Sequence, residues 1–301
     1  MYQPLSSLNI PESRLKELRN SGYSYCKDVD IDIPFWDVLT QTPKAKTALE
    51  KLKEESQEGY VSTFINPLDD ALHGGLPLGK ITELCGEPGT GKTQICFQLC
   101  VSTQLPNWCG GLNGDVVYIG TNYNFAPHRV REIARGVVNR YTDFKMKRNF
   151  GNDVTELSVE SIMDRIFYLN VQSDMELIAA VSHLKEWLPE HLSVKLVIID
   201  SICTLLRSLN GTERTNILYI LFRNLQKLAQ IYNFAIVVTN DKSTRISSAK
   251  DVYQAPSLGG SHYHRINIRI ELSKKSSIIF RAVVLKNLFS SPTEIEFPLF
   301  T

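Results

Sequence analysis

The chain has 301 residues, 43% apolar and 22% charged, with a net charge of +1; composition of this kind is globular, and any nucleic-acid contact must come from a local basic patch. No stretch approaches the roughly 18 apolar residues of a membrane span, and the start Met-Tyr-Gln-Pro-Leu-Ser has neither a basic region nor an apolar run, so no secretory signal is expected. The six cysteines, Cys26, Cys85, Cys96, Cys100, Cys109 and Cys203, include no C-x-x-C pair and read as reduced, mostly buried thiols of an intracellular protein.

Taken in chain order, Pro11 to Asn20 predicts a short helix with Leu15 and Leu18 inward, stopped by Ser21-Gly22. Residues 30–43 hold Pro34, Phe35, Trp36 and Pro43, which suit neither helix nor strand. Thr47 to Glu58 predicts a charged amphipathic helix with Leu49 and Leu52 on one side. The expectation is a small helical N-terminal unit over 1–43, a linker helix over 44–59 and a main domain over 60–301. The first unit is too short to bury much core and is expected to lean on the main domain.

Beyond residue 60 strands and helices alternate. Ile81–Cys85, Val116–Gly120, Ile166–Val171, Leu196–Asp200 and Ala235–Thr239 are short apolar runs. Helical stretches separate them: Lys92 to about Thr103, Pro127 to Val138, Asp174 to Leu188 and Glu213 to Tyr232. This alternation predicts an α/β domain with a mostly parallel sheet flanked by helices on both faces. Ile266–Leu272, Ile278–Leu285 and Thr293–Leu299 follow without helices and predict an antiparallel C-terminal edge.

The run Gly86, Glu87, Pro88, Gly89, Thr90, Gly91, Lys92, Thr93 fits the phosphate-loop pattern G-x-x-x-x-G-K-[ST]. Its glycines let backbone N–H groups converge on phosphate oxygens where a Cβ would block them. The helix that follows turns its positive end to the anion. Lys92 is expected on the β- and γ-phosphates of ATP, and the Thr93 hydroxyl on Mg²⁺. The apolar strand Lys195-Leu-Val-Ile-Ile-Asp200 ends in the acidic residue that reaches the metal through water.

With both motifs in place the sequence resembles the RecA/RadA recombinase family and its eukaryotic paralogs, most closely the C-type paralogs. The resemblance rests on the stretch from Pro77 to Cys100, on Gln104-Leu-Pro, on Arg129 after Phe125, and on Val237-Val-Thr-Asn240. Thr47-Ala-Leu-Glu50, Thr63-Phe64 with Leu68-Asp-Asp70, and Pro256-Ser-Leu-Gly259 point to the C-type branch. It implies a RecA-like core and a role in homologous recombination and double-strand break repair, meiotic recombination included. The implied partners are other paralogs in a hetero-oligomer, the main strand-exchange filament, and single-stranded and branched DNA, in the nucleus, with the cytoplasm as a second compartment and with no membrane.

The sequence departs from the family at two places. The family carries a Glu as general base after the second core strand, where this chain reads Gly120-Thr-Asn122-Tyr-Asn124-Phe125. The amide of Asn122 can orient a water but cannot take its proton. The family's γ-phosphate sensor is a Gln after Thr-Asn, where this chain has Asp241. A carboxylate cannot donate a hydrogen bond and repels a triphosphate. No catalytic residue is therefore assigned, and the expectation is ATP binding with slow or absent hydrolysis. The alternative is an active DNA-dependent ATPase whose base is supplied in trans.

The resemblance carries over further roles. Arg129 stands where the family stacks a guanidinium on adenine, and His264 where it relays nucleotide state; Lys286 lies in a segment that reaches a neighbouring subunit. Arg207 and Arg214, and Lys242, Arg245 and Lys250, fall in the two loops that face DNA, the second expected to be flexible. A basic run from Arg129 to Arg148 reads first as a solvated helix face. The family's assembly linker carries Phe-x-x-Ala, and here Ala45 takes the Phe position ahead of Ala48, which argues against long homopolymers. A RecA-fold helicase lacks its trans arginine motif, and a P-loop kinase lacks an acceptor base at Gly120 or Asn122.

Overall fold

The computed structural model describes residues 12–25, 45–57, 59–147, 157–246, 252–258, 263–287 and 291–298. Cys26, Arg148, Lys250 and the segment around Pro34 to Trp36 lie outside the described residues. The chain divides into two compact units, Met1–Gln57 and Glu58–Thr301.

The first unit contains α1 (Glu12–Asn20) and α2 (Ala48–Gln57). Thr47 starts α2 with reciprocal bonds: Glu50 N donates to Thr47 Oγ1 at 3.2 Å, and Thr47 N donates to Glu50 Oε2 at 2.7 Å. Leu49 and Leu52, expected on one side of this helix, are 61% and 62% exposed.

The second unit opens with a ribbon of β1 (Tyr60–Val61) and β2 (Leu76–Pro77) around α3 (Asn66–Ala71). These pieces are too short for periodicity to reveal. The main strands are β3 (Ile81–Gly86), β4 (Asp115–Gly120), β5 (Ile166–Asn170), β6 (Val194–Asp200), β7 (Ala235–Ile246), β8 (Val252–Pro256), β9 (Ile268–Lys274), β10 (Ile279–Lys286) and β11 (Thr293–Pro298). They form one sheet in the order β11-β10-β9-β3-β7-β6-β4-β5, with β8 on β7. The pairs from β9 to β5 are parallel, and β9-β10 and β10-β11 are antiparallel, as the sequence predicts.

Side-chain alternation divides the core into two layers. Val116, Tyr118, Leu196, Ile198 and Val237 face α4 (Lys92–Ser102) and α5 (Pro127–Lys147). Val117, Ile119, Val197, Ile199, Ile236 and Val238 face α7 (Asp174–Trp187) and α9 (Gly211–Tyr232). Apolar residues at every strand position are what a sheet covered on both sides demands. The short α6 (Val159–Asp164) and α8 (Ile202–Leu206) complete the helices. Caps fix the ends: Ser173 accepts from Glu176 N ahead of α7, and Asn210 from Glu213 N ahead of α9.

Two elements exceed their sequence-based bounds. Helix α5 runs on to Lys147, because Val137, Tyr141 and Phe144 continue one helical face. The stretch expected as a flexible loop after Asn240 is instead a ribbon. Lys242 to Ile246 pair antiparallel with Val252 to Pro256, and the β-favouring Thr244, Ile246, Val252 and Tyr253 explain it. Among the described residues no helix is long and apolar enough to cross a membrane.

Candidate functional site

Strands β3, β4, β6 and β7 are parallel and finish at one edge of the sheet. Gly86 is in register with Asp241, and Gly120 with Asp200. In open α/β sheets this carboxyl edge is where ligands sit.

The phosphate loop turns directly off β3. A Cβ on Gly86 would lie 2.5 Å from the Leu272 carbonyl oxygen and 2.6 Å from Thr90 Oγ1, so no side chain fits. Gly89 and Gly91 hold φ of 81° and 87°, left-handed values that glycine adopts without strain. Gly91 then caps the 11-residue α4, whose first N–H groups have no helical acceptor and present a positive end.

The ammonium of Lys92 donates to Gly86 O at 2.8 Å and Glu87 O at 3.0 Å, and pairs with Asp241 Oδ1 at 3.1 Å. These three partners match its three N–H bonds. Asp241 Oδ2 accepts from Cys203 Sγ at 3.3 Å and Arg207 Nη2 at 3.2 Å. Burial raises the Cys203 thiol above its ordinary value, so it serves as a protonated donor.

Asp200 is only 2% exposed. Its Oδ2 accepts from Thr93 Oγ1 at 2.8 Å, Tyr118 Oη at 2.7 Å and Asn124 Nδ2 at 3.2 Å, and its Oδ1 from Thr239 Oγ1 at 2.5 Å. A hydroxyl and a carboxylate brought together at a helix N-terminus are hard oxygen donors that suit Mg²⁺ beside phosphate. The loop's N–H groups and the Lys92 ammonium suit the phosphates. The residues present therefore fit a metal–nucleotide.

Asn122 is exposed just past β4. The amide that reaches Asp200 belongs to Asn124, whose own Oδ1 is buried without a hydrogen-bond partner among the described residues. Arg129, in the first turn of α5, donates through Nε to Gln94 Oε1 at 2.9 Å, next to Thr93, and through Nη1 to Glu132 at 2.8 Å. Its guanidinium lines a cavity with Phe64, Gln98, Ser102 and Trp108, apart from the cleft of the loop residues Glu87 to Thr90.

The expected DNA residues separate. Arg207 belongs to the loop through Asp241, although it is 60% exposed. Lys242 pairs with Glu271 Oε1 at 2.7 Å and lines a cleft with Glu87, Pro88, Gly89 and Thr90. Arg214 lies in the first turn of α9, and Arg245 on β7 opposite Tyr253. Lys250 lies outside the described residues. His264 is exposed on the turn Tyr263–Arg265, and Lys286 donates to Tyr263 O at 2.9 Å and Ile266 O at 2.6 Å.

Sequence reasoning missed Tyr118, Thr239 and Cys203, which read as core or strand residues. It also missed the buried pair of Arg269 and Glu83, whose Oε1 accepts from Asn240 at 2.8 Å. Asp200 at a strand end and Asn240 before Asp241 are the linear signals nearest to them.

A family model described as Rad51 matches residues 56–293. Over 232 residues the chain is 35% identical to DNA repair protein RAD51 homolog 3 of Cricetulus griseus, covering 75% of this chain and 63% of that protein. The protein of the same name from Dictyostelium discoideum is 36% identical over 236 residues, covering 77% and 61%. The chain thus spans about six-tenths of the length of these relatives.

Proposed function

The chain belongs to the Rad51 family, and from that premise we propose that it is an ATP-binding accessory factor in homologous recombination and double-strand break repair. In this reading nucleotide is a ligand for assembly, with slow or absent hydrolysis. The protein works with other paralogs in a hetero-oligomer that assists the strand-exchange filament on single-stranded and branched DNA, in the nucleus, with a part in meiotic recombination. The names of its relatives as DNA repair proteins support the process. Ala45 at the family's Phe position supports pairing with other paralogs over self-assembly.

The observation that carries the reading is the state of the two departed positions. Asn122 has no basic atom to offer. Asp241 has one oxygen on Lys92 and the other on Cys203 and Arg207, so three of its roughly four lone-pair sites are taken by protein donors. Loss of a placed general base costs about 10²–10⁴ in rate. When bound, the metal–nucleotide would supply a polyanion at the carboxyl edge of the sheet. The loop N–H groups and Lys92 would hold its phosphates, Thr93 and Asp200 its metal, and Arg129 its base.

Steady-state phosphate release by the purified chain tests this, beside direct nucleotide binding. The expectation is binding that Lys92→Ala abolishes, with turnover no higher than in that variant. Turnover at the rate of an active recombinase, lost in Lys92→Ala, would refute it. Turnover arising only in a reconstituted heteromer would favour a base supplied in trans.

A further inference from the structure

We infer that Asp241 sets which nucleotide this site retains: it holds nucleoside diphosphate at least as tightly as the triphosphate. The inference rests on the nucleotide reading above and names the ligand class of the same site.

Asp241 is fixed beside the loop by its backbone. Its Cα is in register with Gly86, and Ser257 N donates to its carbonyl at 2.8 Å. Its side chain is only 26% exposed and bridges Lys92 to Arg207. The carboxylate is thus held beside Lys92 through its other oxygen, by Cys203 and Arg207.

The charges decide the preference. A P-loop lysine normally adds one positive charge for the outermost phosphates, and here Asp241 cancels it at 3.1 Å. The other cation on Asp241, Arg207, is 60% exposed and screened by solvent. Across the cleft, Lys242 is paired with Glu271 at 2.7 Å, while Glu87 adds an exposed acid and Lys274 an exposed base. The phosphates of a diphosphate are served by loop N–H groups and the helix end, which Asp241 leaves untouched. A third phosphate brings about one further negative charge to a site whose lysine is already neutralised, and it must compete with a carboxylate for the same ammonium.

The test is calorimetric titration of the full chain with Mg–ADP and Mg–ATP, for wild type and Asp241→Asn. Wild type is expected to bind ADP with affinity equal to or above that for ATP. Asp241→Asn removes the charge with little change in shape, and is expected to shift the affinity ratio toward ATP by about tenfold or more. Asp241→Gln must shift it the same way, which guards against a local effect of one substitution; circular dichroism confirms that both are folded. A ratio unchanged in both variants while binding persists overturns this inference alone. Absence of binding of either nucleotide to wild type overturns the nucleotide reading and this inference with it.

Discussion

Tyr118 donates its phenolic hydrogen to Asp200 Oδ2 at 2.7 Å, joining the interior of β4 to the last residue of β6. Burial first, with Cys96 and Asp200 adding to it, holds the phenol protonated, so it remains a donor across the accessible pH range. The ring packs against Phe97 at 5.8 Å and Phe125 at 4.8 Å, contacts that phenylalanine preserves. We predict that Tyr118→Phe lowers stability by about 1.5–3 kcal/mol, the value of a hydrogen bond to a charged group. The urea midpoint measures it, and an unchanged midpoint would show that the bond has no net worth.

The loop and Asp200 could be read in the sequence because each is a linear signal with a strand before it. The support of Asp200 could not be, since Tyr118 and Thr239 come from other strands and look like core positions. Nor could the pairing of Lys92 with Asp241: a carboxylate at that position suggests repulsion of phosphate, and only the register of β3 with β7 shows that it has a cation of its own. Basic residues in a polar stretch look alike whether they face DNA or a carboxylate, so Arg207 and Lys242 read as DNA contacts while the structure gives both an acidic partner at the loop. The parallel core and antiparallel edge were legible because buried strands leave continuous apolar runs. The ribbon of β7 with β8 was not, because Lys242, Ser243 and Arg245 interrupt any apolar run and β8 is only five residues long.

Below the loop, Arg269 donates to Glu83, at 7% and 0% side-chain exposure, and Asn240 adds a bond at 2.8 Å to the other carboxylate oxygen. Removing one partner strands a buried charge. Glu83→Leu and Arg269→Met are each predicted to cost about 3–5 kcal/mol. The double variant Glu83→Leu with Arg269→Met is predicted to be more stable than either single variant, because no charge then stays unpaired. Denaturant unfolding of all three, compared as a double-mutant cycle, reads the coupling; additive losses would contradict it.

Burial pushes the Cys85 thiol up to about 12, with the Glu83 charge adding to it, and drives Cys96 and Cys100 upward as well. Each folded thiol then keeps its proton to higher pH than the unfolded one. Their contribution to stability is full below the ordinary thiol range, near 8.5, and is lost progressively as pH rises toward about 12. The urea midpoint is predicted to be flat around neutrality and to fall from about pH 9 upward. Replacing Cys96 and Cys100 with Ala lowers stability at neutral pH but should flatten the alkaline fall. An alkaline slope identical to wild type would exclude these thiols as its source.

Strand β7 carries two basic residues, Lys242 and Arg245. Lys242 is 14% exposed and spends its charge on Glu271 at 2.7 Å, whereas Arg245 lies further along the ribbon, opposite Tyr253. If the ribbon carries DNA by phosphate contacts, affinity for single-stranded DNA falls steeply with salt. Arg245→Ala is predicted to weaken binding and to reduce the salt slope by about one, the signature of a lost phosphate contact. Lys242→Ala is predicted to leave the slope unchanged, because its ammonium already has a carboxylate and releases no counterion on binding. Fluorescence anisotropy with a labelled oligonucleotide across a salt series measures both slopes. Equal reductions in the two variants would mean that Lys242 leaves Glu271 for DNA, and no reduction in Arg245→Ala would place the DNA surface elsewhere.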